Sequence, residues 1–315
     1  MSKIALVGLG LVGRAWAVSF ARAGHEVAIW DERPEAIDAA LGFVNRVLPD
    51  LDANDLLRGE APLSVRARMR RAASLEEALD GASHVQENTP EDVATKEKVF
   101  ADLDRLADPE TVLASSTSAI LPSVFSRGLA GRGRCLVVHP INPPSLIPAV
   151  EIVPAPWTEP SVVERTVVLM TEAGHAPIAM TREIDGFVIN RLQGALLEEA
   201  FRLVADGFAS TEDVDVAIRE GLALRWSFMG PFETVDLNAP GGVRDYAERY
   251  QRIYARIFPS TQRRVDWAGA VMDRIEQERR ARLPADQLAE RAAWRDRRLM
   301  ALAAHKKRAA EEIGE

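Results

Sequence analysis

"KIALVGLGLVGRAWAVSFARAGHEVAIWD", residues 3–31, is the stretch that decides the fold. It begins with a short apolar run ending in glycine, the pattern of a strand buried on both faces. "RAWAVSFARAG" then has helical spacing and a glycine stop at Gly24, and "EVAIWD" reads as a second strand. Between the first strand and the helix stand Gly8, Gly10 and Gly13 in a G-x-G-x-x-G, with Leu11 and Val12 inside the loop. Such a hexamer says little alone, but after a strand and at the start of a helix it is a dinucleotide-binding turn. Gly8 permits the tight turn, and Gly10 lets a pyrophosphate approach the backbone. Gly13 lets helix and strand pack closely, with the phosphates on the helix N-terminus. Asp31 closes the second strand eighteen residues after Gly13. A carboxylate there accepts from both ribose hydroxyls and repels a 2′-phosphate, so the expected cofactor is NAD. Arg33 is the one nearby residue able to pair with a 2′-phosphate instead.

Working outward, further apolar runs occur at "HVQEN", "VLASS" and "CLVVH", with helical segments such as "ATKEKVFADLDRLA" between them. Alternating strands and helices predict an α/β fold with a doubly wound parallel (Rossmann) sheet. After "HAPIAMT" the strand signal fades, and long amphipathic helices such as "NRLQGALLEEAFRLVADG" take over. The pattern divides the chain into a dinucleotide-binding domain, 1–182, and a C-terminal all-helical domain, 183–315, for substrate and dimerisation. Apolar stripes on such charged helices predict a homodimer.

The 315 residues are enough for two domains, and 47% hydrophobic with 27% charged content is that of a folded protein. A formal net charge of −8 argues against a broad nucleic-acid surface. The single Cys135 cannot form an internal disulfide, which points to a reducing, cytoplasmic setting. Zinc-type spacing and a run of membrane-spanning length are both missing from the sequence, so neither a metal nor a membrane is expected. The N-terminus has the outline of a signal peptide, but Arg14 and three glycines interrupt its apolar region, and it reads as mature protein.

The chemistry-bearing stretch is "HPINPPSLIPAVEI", 139–152. His139 ends a strand beyond the switch point of the dinucleotide half, where ligands of such sheets sit. Oxidation of an alcohol needs a base for the hydroxyl proton, and a neutral histidine suits that task. Glu151, on the next strand after a proline-rich turn, could fix its tautomer. Spacing alone leaves this reading level with a structural histidine and an unrelated surface acid.

The run from "ASSTSAI" through "HPINPP" and "PAVEIV" to "GFVINRL" resembles the 3-hydroxyacyl-CoA dehydrogenase family. The resemblance implies His139 as base and Glu151 as its partner. It implies Ser118 and Asn190 at the reacting oxygen or its neighbour, and Asn142 as an orienting residue. Glu91 and Lys96 match a pair beside the nicotinamide end of the cofactor, and Ser116 stands where fatty-acid members carry asparagine. "LRWSFMGPFET" and "AAWRDRRLM" are more similar to the branch holding lambda-crystallin and L-gulonate 3-dehydrogenase; L-carnitine dehydrogenases share the same dyad. The resemblance therefore implies NAD-dependent oxidation of the 3-hydroxyl of a small hydroxy acid, L-gulonate first. A short-chain acyl-CoA or carnitine is the alternative substrate, and a non-catalytic crystallin-type role the alternative function.

Two features of the residues bear on the substrate. No lysine occurs between Lys3 and Lys96, the stretch that would hold the helical arm of a CoA-binding member. The arginines at 66, 68, 70 and 71 read as a solvated strand edge or surface. Arg225, between Leu224 and Trp226, is either the partner of a free substrate carboxylate or a surface arginine lying on Trp226.

Overall fold

A computed structural model describes residues 2–314 of the chain. Its centre is one eight-stranded sheet: β1 (Lys3–Val7), β2 (Glu26–Trp30), β3 (Met69–Arg71), β4 (His84–Glu87), β5 (Val112–Ser115), β6 (Cys135–Pro140), β7 (Ala149–Pro154) and β8 (Ala176–Ala179). The spatial order is β3-β2-β1-β4-β5-β6-β7-β8, so the strand order reverses between β1 and β4. Neighbouring strands run parallel except β6 and β7, which pair antiparallel. The sheet is thus the expected doubly wound parallel one, with a single antiparallel pair at β6 and β7. The loop 141–148 is too short for the crossover that a parallel pairing needs, so the chain turns straight back.

Strand periodicity distributes the side chains between two apolar layers. Ile4, Leu6, Val138 and Ile152 face one layer together with Trp16 and Phe20 of the Leu11–Arg22 helix. Ala5, Val7, Val137 and Val153 face the other, with Phe100, Leu103 and Phe187. His139 shares the parity of Val137, and Glu151 that of Val153, so both polar side chains belong to this second face.

The chain forms two compact units, Met1–Ile189 with Arg295–Glu315, and Asn190–Trp294. The boundary therefore falls a few residues after the expected one, and the end of the chain belongs to the first unit. The reason is apolar contact: Met300 and Ala304 on the Leu288–Ile313 helix are buried, and Met300 joins the cluster containing Ile37, Leu48 and Leu51. Lys307 adds an ion pair to Asp55.

The second unit is helical, with main helices Gly242–Thr261 and Ala270–Arg282. Ser210 and Asp213 cap the Thr211–Val216 helix reciprocally. Arg202, buried, donates to the carbonyls of Thr261 and Arg263 and so fixes the end of the Gly242–Thr261 helix. Leu224, Phe228, Phe232, Leu237 and Phe258 all lie exposed in this unit. Among the described residues no helix is long and apolar enough to cross a membrane.

Candidate functional site

Antiparallel pairing places His139 of β6 directly opposite Glu151 of β7. That register explains the twelve-residue spacing, because cross-strand partners project from the same face. His139 Nδ1 and Glu151 Oε2 are 2.7 Å apart, with His139 5% and Glu151 0% exposed. The other carboxylate oxygen, Oε1, accepts from the backbone amides of Val188 and Ile189 at 2.6 and 2.9 Å. These amides open the Ile189–Ala205 helix, whose N-terminus favours negative charge. Phe187, just before them, has φ 50° and follows Gly186 at φ 77°. A phenylalanine in the left-handed region is strained, and its buried ring lies 5.5 Å from that of His139.

Burial pushes the Glu151 carboxyl upward, but the His139 hydrogen bond and the two amides outweigh it and hold the group below the usual range. Glu151 is thus an anion that can only accept. The proton between the two residues therefore sits on Nδ1 of His139, and Nε2 is the basic nitrogen.

A second polar cluster lies at the ends of β4 and β5. Lys96 is on the buried stripe of the Val93–Leu106 helix with Phe100 and Leu103. Its ammonium bonds both oxygens of Glu87, at 3.1 and 3.0 Å, and lies 3.9 Å from Glu91. Glu87, fully buried, also accepts from Ser115 and Thr89. The expected Glu91–Lys96 pair is therefore the looser contact, and Glu87 is the partner that sequence reasoning missed. The available signal was an acid ending an otherwise buried strand nine residues before the lysine. Glu91 Oε1 instead accepts from the Ser118 and Ala119 amides, both at 3.0 Å, and from the Thr117 hydroxyl, so it holds the turn carrying Ser118.

Ser116 Oγ bonds three protein groups: Trp16 Nε1 at 3.1 Å, Gln86 Nε2 at 2.7 Å and Asn88 Oδ1 at 2.8 Å. Asn142 is exposed on loop 141–148, and its peptide bond to Pro143 is cis. Asn190 is the second residue of the Ile189–Ala205 helix, next in the chain to the amides on Glu151. Arg225 belongs to the second unit, exposed on the Ala223–Trp226 helix, with Nη1 3.4 Å from Asn238 Oδ1.

The glycine loop is built as its spacing demands. Gly8 has φ 88°, and a Cβ there would come within 2.8 Å of the Asn88 backbone. A Cβ on Gly13 would lie 2.0 Å from the Gly8 carbonyl oxygen. Gly10 is different, since a Cβ there would meet nothing within 4 Å. Packing of the protein on itself does not require glycine at this point, whereas close approach of a phosphate to the backbone does.

The 3-hydroxyacyl-CoA dehydrogenase NAD-binding domain matches residues 3–184, and the C-terminal domain of the same family matches 186–279. The chain belongs to the 3-hydroxyacyl-CoA dehydrogenase family. It is an NAD-dependent oxidoreductase acting on CH–OH groups. A lambda-crystallin homolog of Bos taurus is 42% identical over 95% of this chain and 94% of its own. An L-carnitine dehydrogenase of a Pseudomonas species is 37% identical over 79% of this chain and 77% of its own. The solved structure of 5-formyl-3-hydroxy-2-methylpyridine 4-carboxylic acid 5-dehydrogenase, an NAD+-dependent dismutase, has a TM-score of 0.83 at 27% identity and covers 100% of both chains.

The residues of this family member fit NAD. Leu11 and Val12 open the helix behind Gly10, with Leu11 exposed and Val12 packed on the core. Asp31 Oδ2 accepts from the Leu9 amide at 2.8 Å, and Oδ1 from the Arg33 amide at 3.0 Å, which fixes the carboxylate with lone pairs to spare for ribose hydroxyls. Beside it lies a pocket of about 540 Å³ lined by Trp30, Asp31, Arg71, Ser74 and Leu75, of a size for the adenosine end. The Arg33 side chain is 69% exposed, with Nε 3.6 Å from Asp31 Oδ1. Replacing Asp31 with Ser would remove the expected ribose acceptor and free Arg33. Steady-state assays of Asp31→Ser with each cofactor should show the preference moving from NAD towards NADP. An unchanged preference for NAD would refute the assignment of Asp31.

Proposed function

We propose that the protein oxidises the 3-hydroxyl of a small free hydroxy acid, L-gulonate being the first candidate, with His139 as general base and Glu151 as its partner. The observation carrying this reading is the buried Glu151 carboxylate, bonded to His139 Nδ1 on one oxygen and to two helix-opening amides on the other. NAD, when bound, supplies the hydride acceptor. The hydroxyl proton passes to Nε2 of His139 as the carbinol carbon loses hydride, leaving a ketone and an imidazolium. Glu151 stabilises that imidazolium without taking the proton. Ser118 and Asn190 hydrogen-bond the reacting oxygen, Asn142 orients the acid, and the Glu91-held turn keeps Ser118 in place.

A free acid rather than a thioester is favoured by three points. A lambda-crystallin homolog is 42% identical over 95% of the chain, and an L-carnitine dehydrogenase 37% identical over 79%. Three of the four arginines that could have met CoA phosphates are engaged elsewhere, Arg66 with the Met69 carbonyl, Arg68 with Glu60 and the Ala21 carbonyl, and Arg71 with Asp38, while Arg70 stays exposed. Arg225, with a long 3.4 Å contact to Asn238, has donors to offer a carboxylate.

The deciding experiment is NAD reduction over a panel containing L-gulonate, L-carnitine and 3-hydroxybutyryl-CoA. L-Gulonate should give the highest kcat/KM, and a preference for the thioester would overturn the small-acid reading. His139→Gln should lower kcat by about two to four orders of magnitude while NADH affinity, followed by fluorescence, stays unchanged. Wild-type turnover in that variant would remove His139 from the base role.

Arg225→Met should raise KM for the acid roughly ten- to a hundredfold, the loss of one charged hydrogen-bonded pair. Lysine at 225 should rescue in part, because it keeps the charge without the planar fork. Equal KM values for the wild type and Arg225→Met would exclude the contact.

The exposed Phe228, Phe232, Leu237 and Phe258 of the helical unit support a homodimer through that unit, since so much apolar surface is costly to leave in water. Light scattering at micromolar concentration should give twice the chain mass. A monomer mass would reject the dimer.

A further inference from the structure

Loop 141–148 joins the two strands of the dyad and carries Asn142, and two side chains from elsewhere in the fold bond its backbone. Arg22 Nη1 donates to the Ser145 carbonyl at 2.7 Å. His175 Nδ1 lies 3.1 Å from the Pro148 carbonyl, and its Nε2 lies 2.7 Å from Ser19 Oγ. Ser19, Ser145 and His175 are all buried. Arg22 and Ser19 both stand on the Leu11–Arg22 helix, whose first turn is the glycine loop. Trp16 of that helix lies against the His175 ring, 4.9 Å between centroids, and bonds Ser116 next to the end of β5. Both ties to the loop thus lead to the cofactor-binding helix.

We infer that His175 and Arg22 are positioning residues that clamp loop 141–148 to the cofactor helix and thereby fix Asn142 and the start of the Glu151 strand. The inference rests on the proposed role of the His139–Glu151 pair for its effect on catalysis. The chemistry of the clamp is specific. A carbonyl can only accept, so Nδ1 of His175 carries the proton and Nε2 accepts from the Ser19 hydroxyl. Burial, reinforced by the nearby Arg22 charge and opposed by the Pro148 bond, lowers His175 to about 4, so this neutral tautomer persists at working pH. Arg22 is itself pushed down to about 10, by burial first and by Arg58 second. Arg22 is half-buried, and its bond to the Ser145 carbonyl gives the partly desolvated guanidinium a partner.

The test compares His175→Leu, His175→Asn and Arg22→Met in the full chain, with L-gulonate as the probe. Asn keeps an N–H where Nδ1 stands, and Leu keeps only bulk. His175→Leu and Arg22→Met should lower kcat/KM for the acid about ten- to a hundredfold, the cost of a site displaced by around an ångström. NADH affinity should be unchanged, and His175→Asn should retain most of the activity. Hydrogen exchange of peptides spanning 141–152 should be faster in the Leu and Met variants than in the wild type and the Asn variant. Wild-type exchange in the Leu and Met variants would overturn the clamp, even if their melting temperatures fall. Exchange reads the clamp independently of the chemistry: fast exchange in a protein that does not oxidise L-gulonate, or whose His139→Gln variant stays active, would leave the clamp standing and refute the substrate or the base instead.

Discussion

The buried Glu151 carboxylate is the constraint around which the β6–β7 half of the first unit is arranged. A charge at 0% exposure is tolerated only where its oxygens are fully bonded, and here three donors do this. Each donor depends on the tertiary fold. His139 arrives by the antiparallel register of β6 and β7. The amides of Val188 and Ile189 arrive because Gly186 and Phe187 turn the chain through the left-handed region before the helix begins. The strain at Phe187 is offset by what it delivers, a helix N-terminus aimed at an anion. The same carboxylate dictates the histidine tautomer, so one set of hydrogen bonds secures both the fold and the orientation of the imidazole.

The second buried acid, Glu87, anchors a network of its own on the β4 and β5 side of the sheet. Glu87 and Lys96 would each be expensive to bury alone, and together with Ser115 and Thr89 they form a satisfied network. The network ties the end of β4 to the end of β5 and to the helix after β4. Glu91 extends it to the turn of Ser118. Because Lys96 is held by Glu87, Glu91 can bind the backbone of that turn. Removing Glu87 would strand a buried ammonium and disturb Ser118 at the same time.

Much of this was legible in the sequence. The glycine spacing with a strand before it, a helix after it and Asp31 at the end of the next strand fixes a dinucleotide turn, because backbone sterics admit few residues there. Positions of β1, β2, β4, β5 and β6 followed from apolar runs, which need only local periodicity, whereas the short, arginine-rich β3 carries no such run. His139 and Glu151 could be named, but their distance could not. An interval of twelve residues brings two side chains together only if the intervening loop reverses the chain in the right register.

Sequence alone therefore determined the fold class and the cofactor, since these depend on local sterics, hydrophobic period and motif, while His139 and Glu151 were singled out as a pair by the family resemblance. Tertiary structure decided which acid Lys96 bonds, that β7 runs against β6, and that the end of the chain packs with the first unit through Met300. It also decided that His175 and Arg22 reach a loop that lies far from them in the chain. The physical reason is common to all four. Hydrogen bonds and apolar contacts between residues distant in sequence form only after the layers have packed, and no local pattern records which partner a buried charge or ring will meet.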